Sequence, residues 1–382
     1  MKPVGSKLPN AGTTIFTVMS RLAEQHGAIN LSQGFPDFQP PERLQELVSY
    51  HLRNGRNQYA PMTGVRSLRE AVALKIETLY GARPNPDSEI TITSGATEAI
   101  FCAIQAVVRP GDDVIVLDPA YDSYEPSITL AGGRTIHVPL RAPQFAMDWE
   151  RIAGNLGPKT RLLIINSPHN PTGTVLSAAD LDQLAELLRP HDCLVLSDEV
   201  YEHIVFDGIA HASALAHAEL ARRTFAIFSL GKTCHATGWK VGYCVAPADL
   251  SQELRRVHQY VTFATATPLQ FAFADYLVEA PEHYRALPQF YQERRDYFGA
   301  LLADSRFKLL PARGTYFQLA DFTAISDRGD VEFARWLTTT HGVATIPVSV
   351  FYADPPADRL VRFCFAKESR TLDAAGAKLK AL

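Results

Sequence analysis

Lys232, at the end of a short apolar run, is the side chain in this sequence best suited to covalent chemistry. It follows Thr224–Ser229 and the pair Leu230-Gly231. An amine at the end of a buried strand is desolvated, which lowers its pKa and favours the neutral, nucleophilic form of a Schiff-base lysine. An acid stands in the same kind of place. The run 193–197 leads straight into Asp198-Glu199-Val200-Tyr201. A carboxylate there needs a cation, and a protonated ring nitrogen would serve. Ile90–Thr93 is followed by Ser94-Gly95-Ala96-Thr97-Glu98 at the start of a helical pattern. Free N–H groups, a glycine for close approach and a threonine hydroxyl make a phosphate cradle. The run 114–117 leads to Tyr121, which can stack on a flat ring. The run 161–165 leads to Asn166-Ser167-Pro168-His169-Asn170-Pro171-Thr172-Gly173, whose two asparagines can donate to an oxygen.

Each feature alone has a plainer reading. Lys232 would be a surface lysine, Asp198 the partner of a nearby Lys or Arg, and Tyr121 a core aromatic. Ser94–Glu98 would be a helix cap, and the Asn/Pro segment a turn. All of them, however, fall at strand ends in one stretch of chain. In open parallel sheets, ligands bind beyond the carboxyl ends of the strands. A phosphate cradle, a stacking aromatic, a buried acid and an amine are together the parts that a pyridoxal phosphate site requires.

The elements that position these residues alternate. Candidate strands at 90–93, 114–117, 135–139, 161–165, 193–197, 224–229 and 241–246 are separated by helical patterns. Residues 97–108 place Ala99, Ile100, Ala103, Ile104 and Val107 on one side, and Ser177 with Asp180 suits the cap of a helix carrying Leu181, Leu184 and Leu187. This predicts an α/β domain with a mostly parallel, seven-stranded sheet over residues 45–275. Helical 281–305 and short runs at 307–310, 315–319, 343–347 and 360–365 predict a smaller α+β domain. The smaller unit is expected to comprise 276–382 together with an irregular N-terminal segment, 1–44. No Gly/Ser linker marks the boundary.

Bulk properties exclude several classes. The 382 residues carry a formal net charge of −4, which gives no electrostatic reason to expect nucleic acid or an anionic membrane. The five cysteines are scattered without a C-x-x-C pair, which argues against a zinc site or a disulfide framework and suits a reducing cytoplasm. No metal is expected. Residues 1–12 lack the apolar run of a signal peptide, and no stretch approaches a membrane span. A nicotinamide site lacks its G-x-G-x-x-G after a strand.

Nearly the whole chain, from Gly12-Thr13-Thr14-Ile15-Phe16 to Phe363-Cys364-Phe365, resembles a class I aminotransferase of fold-type I. Asn170-Pro171-Thr172-Gly173, Asp198-Glu199-Val200-Tyr201 and Ser229-Leu230-Gly231-Lys232 carry the resemblance in order and spacing. Asn30-Leu31-Ser32-Gln33-Gly34-Phe35-Pro36-Asp37 and Gln58-Tyr59-Ala60-Pro61-Met62-Thr63-Gly64 are most similar to the kynurenine, glutamine and methionine group, bacterial methionine aminotransferases above all. The resemblance implies pyridoxal 5'-phosphate as cofactor, with Lys232 as its covalent anchor and proton shuttle. It implies Asp198 on the ring nitrogen, Tyr201 and Asn170 on the phenolic oxygen, and Tyr121 stacked on the ring. Gly95, Ala96, Thr97, Ser229 and Lys240 would hold the phosphate. Arg362, Asn170 and Gly34 would hold the substrate carboxylate. Tyr59 would reach the phosphate of a neighbouring subunit, which implies a homodimer with shared sites.

Lys240 and Tyr121 stand where the aspartate-type branch has arginine and tryptophan, which fits the kynurenine-type branch and weakens aspartate as substrate. Phe16, Tyr121 and Tyr316 are candidate walls of a side-chain pocket for thioether, aromatic or long neutral groups, or else core residues. The implied reaction is transfer of an α-amino group from an L-amino acid to a 2-oxo acid. Two related alternatives use the same site: a β-lyase acting on cysteine conjugates, and a regulator that binds the cofactor without catalysis.

Overall fold

The computed structural model describes residues 4–382, so the first three residues of the N-terminal segment lie outside the described residues. In chain order the early strands are β1 (Ile29–Asn30), β2 (Ile90–Thr93), β3 (Asp113–Asp118), β4 (Arg134–Pro139), β5 (Thr160–Asn166) and β6 (Leu194–Asp198). They are followed by β7 (Thr224–Ser229), β8 (Gly242–Val245), β9 (Lys308–Leu309), β10 (Phe317–Asp321), β11 (Val343–Ala344), β12 (Ile346–Pro347) and β13 (Leu360–Cys364).

Seven of them form one sheet in the order β2-β8-β7-β6-β5-β3-β4. The pairs β3–β4, β3–β5, β5–β6 and β6–β7 are parallel, and β8 runs antiparallel to both its neighbours. The central strands are continuous aliphatic runs because both faces are covered. Leu162 and Ile164 of β5 face the helix Ala96–Val107, whereas Leu163 and Ile165 face the helix Ala178–Leu188. The latter helix opens with a capping box: Ser177 Oγ accepts from Asp180 N–H at 3.2 Å, and Asp180 accepts from Ser177 N–H at 2.8 Å. Leu188, not Leu187, completes its buried face with Leu181 and Leu184.

Strand order reverses at β3, with β4 added on one side of it and β5 to β7 on the other, the kind of switch point where open sheets form a crevice. A second, antiparallel sheet, β12-β13-β10-β9, is covered by the helices Pro281–Leu301, Asp330–His341 and Ser369–Lys380. The expected strand 343–347 is split into β11, which pairs with β1, and β12, which pairs with β13. The expected strand at 315–319 begins only at Phe317, because Thr315 takes a positive φ of 65°.

The N-terminal segment is less irregular than its sequence suggests. Ile15–Gln25 is a helix, capped by the Thr14 hydroxyl, which accepts from Thr17 N–H at 3.3 Å. Its apolar residues do follow a helical period. Only Met19 and Ala23 are buried, so the stripe is short and easily overlooked beside the turn residues of 9–12. Among the described residues, no helix is long and apolar enough to cross a membrane.

Candidate active site

A cavity of about 290 Å³ opens where β3, β5, β6 and β7 end. Every residue singled out from the sequence lines it except Tyr59 and Tyr316.

Asp198 is the last residue of β6, next to Asn166 at the end of β5. Asn166 Nδ2 donates to the Asp198 carbonyl at 2.7 Å, and Asn166 Oδ1 accepts from Asn170 N–H at 2.8 Å. One asparagine thus ties two strand ends to the turn that carries the other. The Asp198 carboxylate is buried and accepts from Tyr124 Oη at 2.6 Å and from Val200 N–H at 3.4 Å. Burial raises its pKa to about 6, and the Tyr124 hydroxyl opposes that rise. Tyr124 was missed from sequence. Its one signal is a position three residues after Tyr121, at the start of the helix Tyr124–Ala131.

Lys232 sits on the one-turn helix Leu230–Thr233, whose cap is Ser229 Oγ, accepting from Lys232 N–H at 3.2 Å. The Lys232 amine donates to Tyr316 Oη at 2.8 Å and to the Gly34 carbonyl at 3.1 Å. Burial lowers its pKa to about 8. Tyr316 therefore belongs behind the lysine rather than on the cavity wall, where Phe317 stands instead. Tyr201 is buried edge-on to Tyr316, 5.1 Å between centroids, and burial pushes its phenol up.

Gly95 has φ +85°, which only glycine adopts freely. A Cβ built there would lie 3.1 Å from Lys240 Cε and 3.2 Å from its Nζ. The lysine amine thus lies directly over the backbone that opens the helix Ala96–Val107. Thr97 Oγ1 and Tyr121 Oη are 3.4 Å apart at the same edge.

Arg362, on β13, is only 1% exposed, which rules out the surface arginine that its alternating strand allows. Nη1 donates to Asn170 Oδ1 at 2.7 Å, Nη2 to the Ser32 carbonyl at 3.0 Å, and Cζ lies 3.8 Å over the Phe317 ring. Its Nε is buried without a hydrogen-bond partner among the described residues. Burial lowers its pKa to about 10. The Phe16 ring centroid lies 5.3 Å from the same Cζ. Gln33 was also missed; its amide holds the Phe16 helix by donating to Ser20 Oγ at 2.6 Å and to the Phe16 carbonyl at 3.2 Å. Tyr59 is 87% exposed, against Phe263 and away from this cavity.

Comparison with known proteins agrees with the geometry. The family described as aminotransferase class I and II matches residues 26–379. The chain is 56% identical to the methionine aminotransferase of Escherichia coli K12, covering 99% of this chain and 98% of that protein. It is 35% identical to mouse kynurenine–oxoglutarate transaminase 1, covering 94% and 93%. The solved structure of an E. coli protein with a methionine aminotransferase function superposes with a TM-score of 0.98 at 56% identity, covering all of both chains. These relatives favour amino-group transfer over the lyase and regulator readings. The chain belongs to the class I and II aminotransferase family and is a transaminase.

Proposed function

We propose that this aminotransferase works with pyridoxal 5'-phosphate and moves the α-amino group of methionine, its favoured L-amino acid, to a 2-oxo acid. Aromatic, glutamine and kynurenine-like donors would also be accepted. The observation that carries the cofactor assignment is the buried Asp198 carboxylate on the cavity wall, whose hydrogen-bond donors, Tyr124 and Val200 N–H, are neutral. A buried carboxylate calls for a cation, and a protonated pyridine nitrogen supplies it. Lys240 over Gly95, with Thr97 and Ser229 nearby, suits a phosphate.

In this reading Gly95, Ala96, Thr97, Ser229 and Lys240 hold the phosphate. Tyr201 and Asn170 would bond the phenolic oxygen, and Tyr121 would cover the ring. When bound, the cofactor supplies a carbonyl that takes up the amino group and a ring that accepts electrons from the α-carbon. Lys232, neutral above about pH 8, takes the α-proton and returns it. Arg362, with Asn170 and Gly34, fixes the substrate carboxylate, which orients the α-hydrogen toward Lys232.

The methionine preference rests on relatedness to the E. coli enzyme and on the apolar walls Phe16, Tyr121 and Phe317. Exposed Tyr59, Tyr260 and Phe263 favour a second copy of the chain as partner, with Tyr59 reaching the partner's phosphate site. Five free, buried cysteines suit the cytoplasm. Residues 45–275 would act as the cofactor domain and 1–44 with 276–382 as the smaller one. The test is to mix the cofactor-loaded protein with single amino acids. Methionine should bleach the visible band and release its 2-oxo acid; bleaching by aspartate alone would refute the preference.

A further inference from the structure

We propose that Tyr316 is a positioning residue that aims the Lys232 amine at the cavity, an inference that rests on the reading of Lys232 as the reacting lysine. Three groups close a small ring. Tyr316 Oη donates to the Gly34 carbonyl at 2.6 Å, and the Lys232 amine donates to both, at 2.8 and 3.1 Å. A neutral amine has two N–H bonds and one lone pair. With both N–H bonds spent on Tyr316 and Gly34, the lone pair is left for the cavity that Lys232 lines.

Tyr316 cannot swing aside. It is fully buried, with Tyr201, Tyr291 and Phe317 at centroid distances of 5.1, 5.7 and 4.9 Å. Gly34 packs closely on Phe317, since a Cβ there would lie 2.8 Å from Phe317 Cζ. The other titratable or charged groups around the amine are Cys364, Lys240, Arg362, Asp198 and Tyr201. Replacing Tyr316 by phenylalanine removes one acceptor and keeps all five. An ammonium depends on such an acceptor more than a neutral amine does, so the loss lowers the pH at which Lys232 becomes neutral. It also frees one N–H, so the lone pair is no longer aimed.

The test uses the full-length protein loaded with pyridoxamine phosphate, in which Lys232 has no bond to the cofactor. Trace acetic anhydride labels amines across a pH series, and the Lys232 peptide is quantified by mass spectrometry. Tyr316→Phe should move the labelling midpoint down by about one pH unit. Its kcat should fall at least about tenfold, with KM changed less than about twofold. Tyr291→Phe, which removes a hydroxyl bonded to His235 instead, should leave the midpoint in place. Should Tyr316→Phe fail to fold, Tyr316→Leu is read in the same way. A loaded protein whose midpoint is unmoved in the Tyr316 variant overturns this inference alone. A wild-type protein that binds neither pyridoxamine phosphate nor pyridoxal phosphate overturns the cofactor reading, and this inference with it.

Discussion

Replacing Arg362 by lysine keeps the positive charge and removes the planar fork. The arginine is buried, spans 2.7 Å to Asn170 Oδ1 and 3.0 Å to the Ser32 carbonyl, and lies 3.8 Å over Phe317. Lysine offers a single nitrogen and cannot pair bidentately with a carboxylate while holding both of these partners. One lost charge-assisted hydrogen bond costs about 1.5–3 kcal/mol. The stacked cation contributes about 1–2 kcal/mol more. A total of about 2.5–5 kcal/mol corresponds to a fall of at least roughly 70-fold in kcat/KM for methionine. The assay compares methionine with its amine analogue lacking the α-carboxylate, in wild type and Arg362→Lys. The amine does not use the clamp, so its slow turnover should change less than about threefold. Equal losses for both substrates, or a methionine kcat/KM within about threefold of wild type, would refute the reasoning.

Other perturbations follow from the same geometry. Gly34→Ala forces a Cβ to within 2.8 Å of Phe317 Cζ; it should displace that ring and cut kcat/KM by at least about tenfold, measured by steady-state kinetics. Gly95→Ala strains a backbone at φ +85° and crowds Lys240, so cofactor affinity should fall about tenfold, measured by equilibrium titration of the cofactor's fluorescence. Asp198 has a folded pKa raised to about 6, so its contribution to stability is present below its unfolded pKa and is lost as pH rises through about 6. The cofactor-free Asp198→Asn variant should therefore melt a few degrees above wild type at pH 8 and show a much smaller difference near pH 4. Added cofactor should reverse that order at pH 8.

Much of this site is legible because strand ends are legible. Asp198 and Lys232 each follow a continuous aliphatic run, and such runs occur where a strand is covered on both faces. Gly95 is announced by the helical period that starts beside it. Arg362 is harder, since an alternating Val-Arg-Phe suits an edge or surface strand equally well; its burial comes from Phe16 and Phe317, which are distant in sequence. Tyr124 reads as a core aromatic and Tyr316 as a pocket wall or a core residue; both are buried in the core, and Tyr316 is not on the wall. Only their hydroxyls, 2.6 Å from Asp198 and 2.8 Å from Lys232, make them part of the site, and no local pattern encodes a hydroxyl's partner. The helix Ile15–Gln25 was obscured for a related reason: much of its face packs on Ala334, Ile346 and Phe351, far along the chain.

The most direct test of the account is to reduce the cofactor-loaded protein with borohydride, digest it, and locate the pyridoxyl group by mass spectrometry. The account predicts a single modified residue, Lys232, and no amino-group transfer by Lys232→Ala. A pyridoxyl group on Lys240 or any other lysine, or turnover and a reducible adduct in Lys232→Ala, would contradict it.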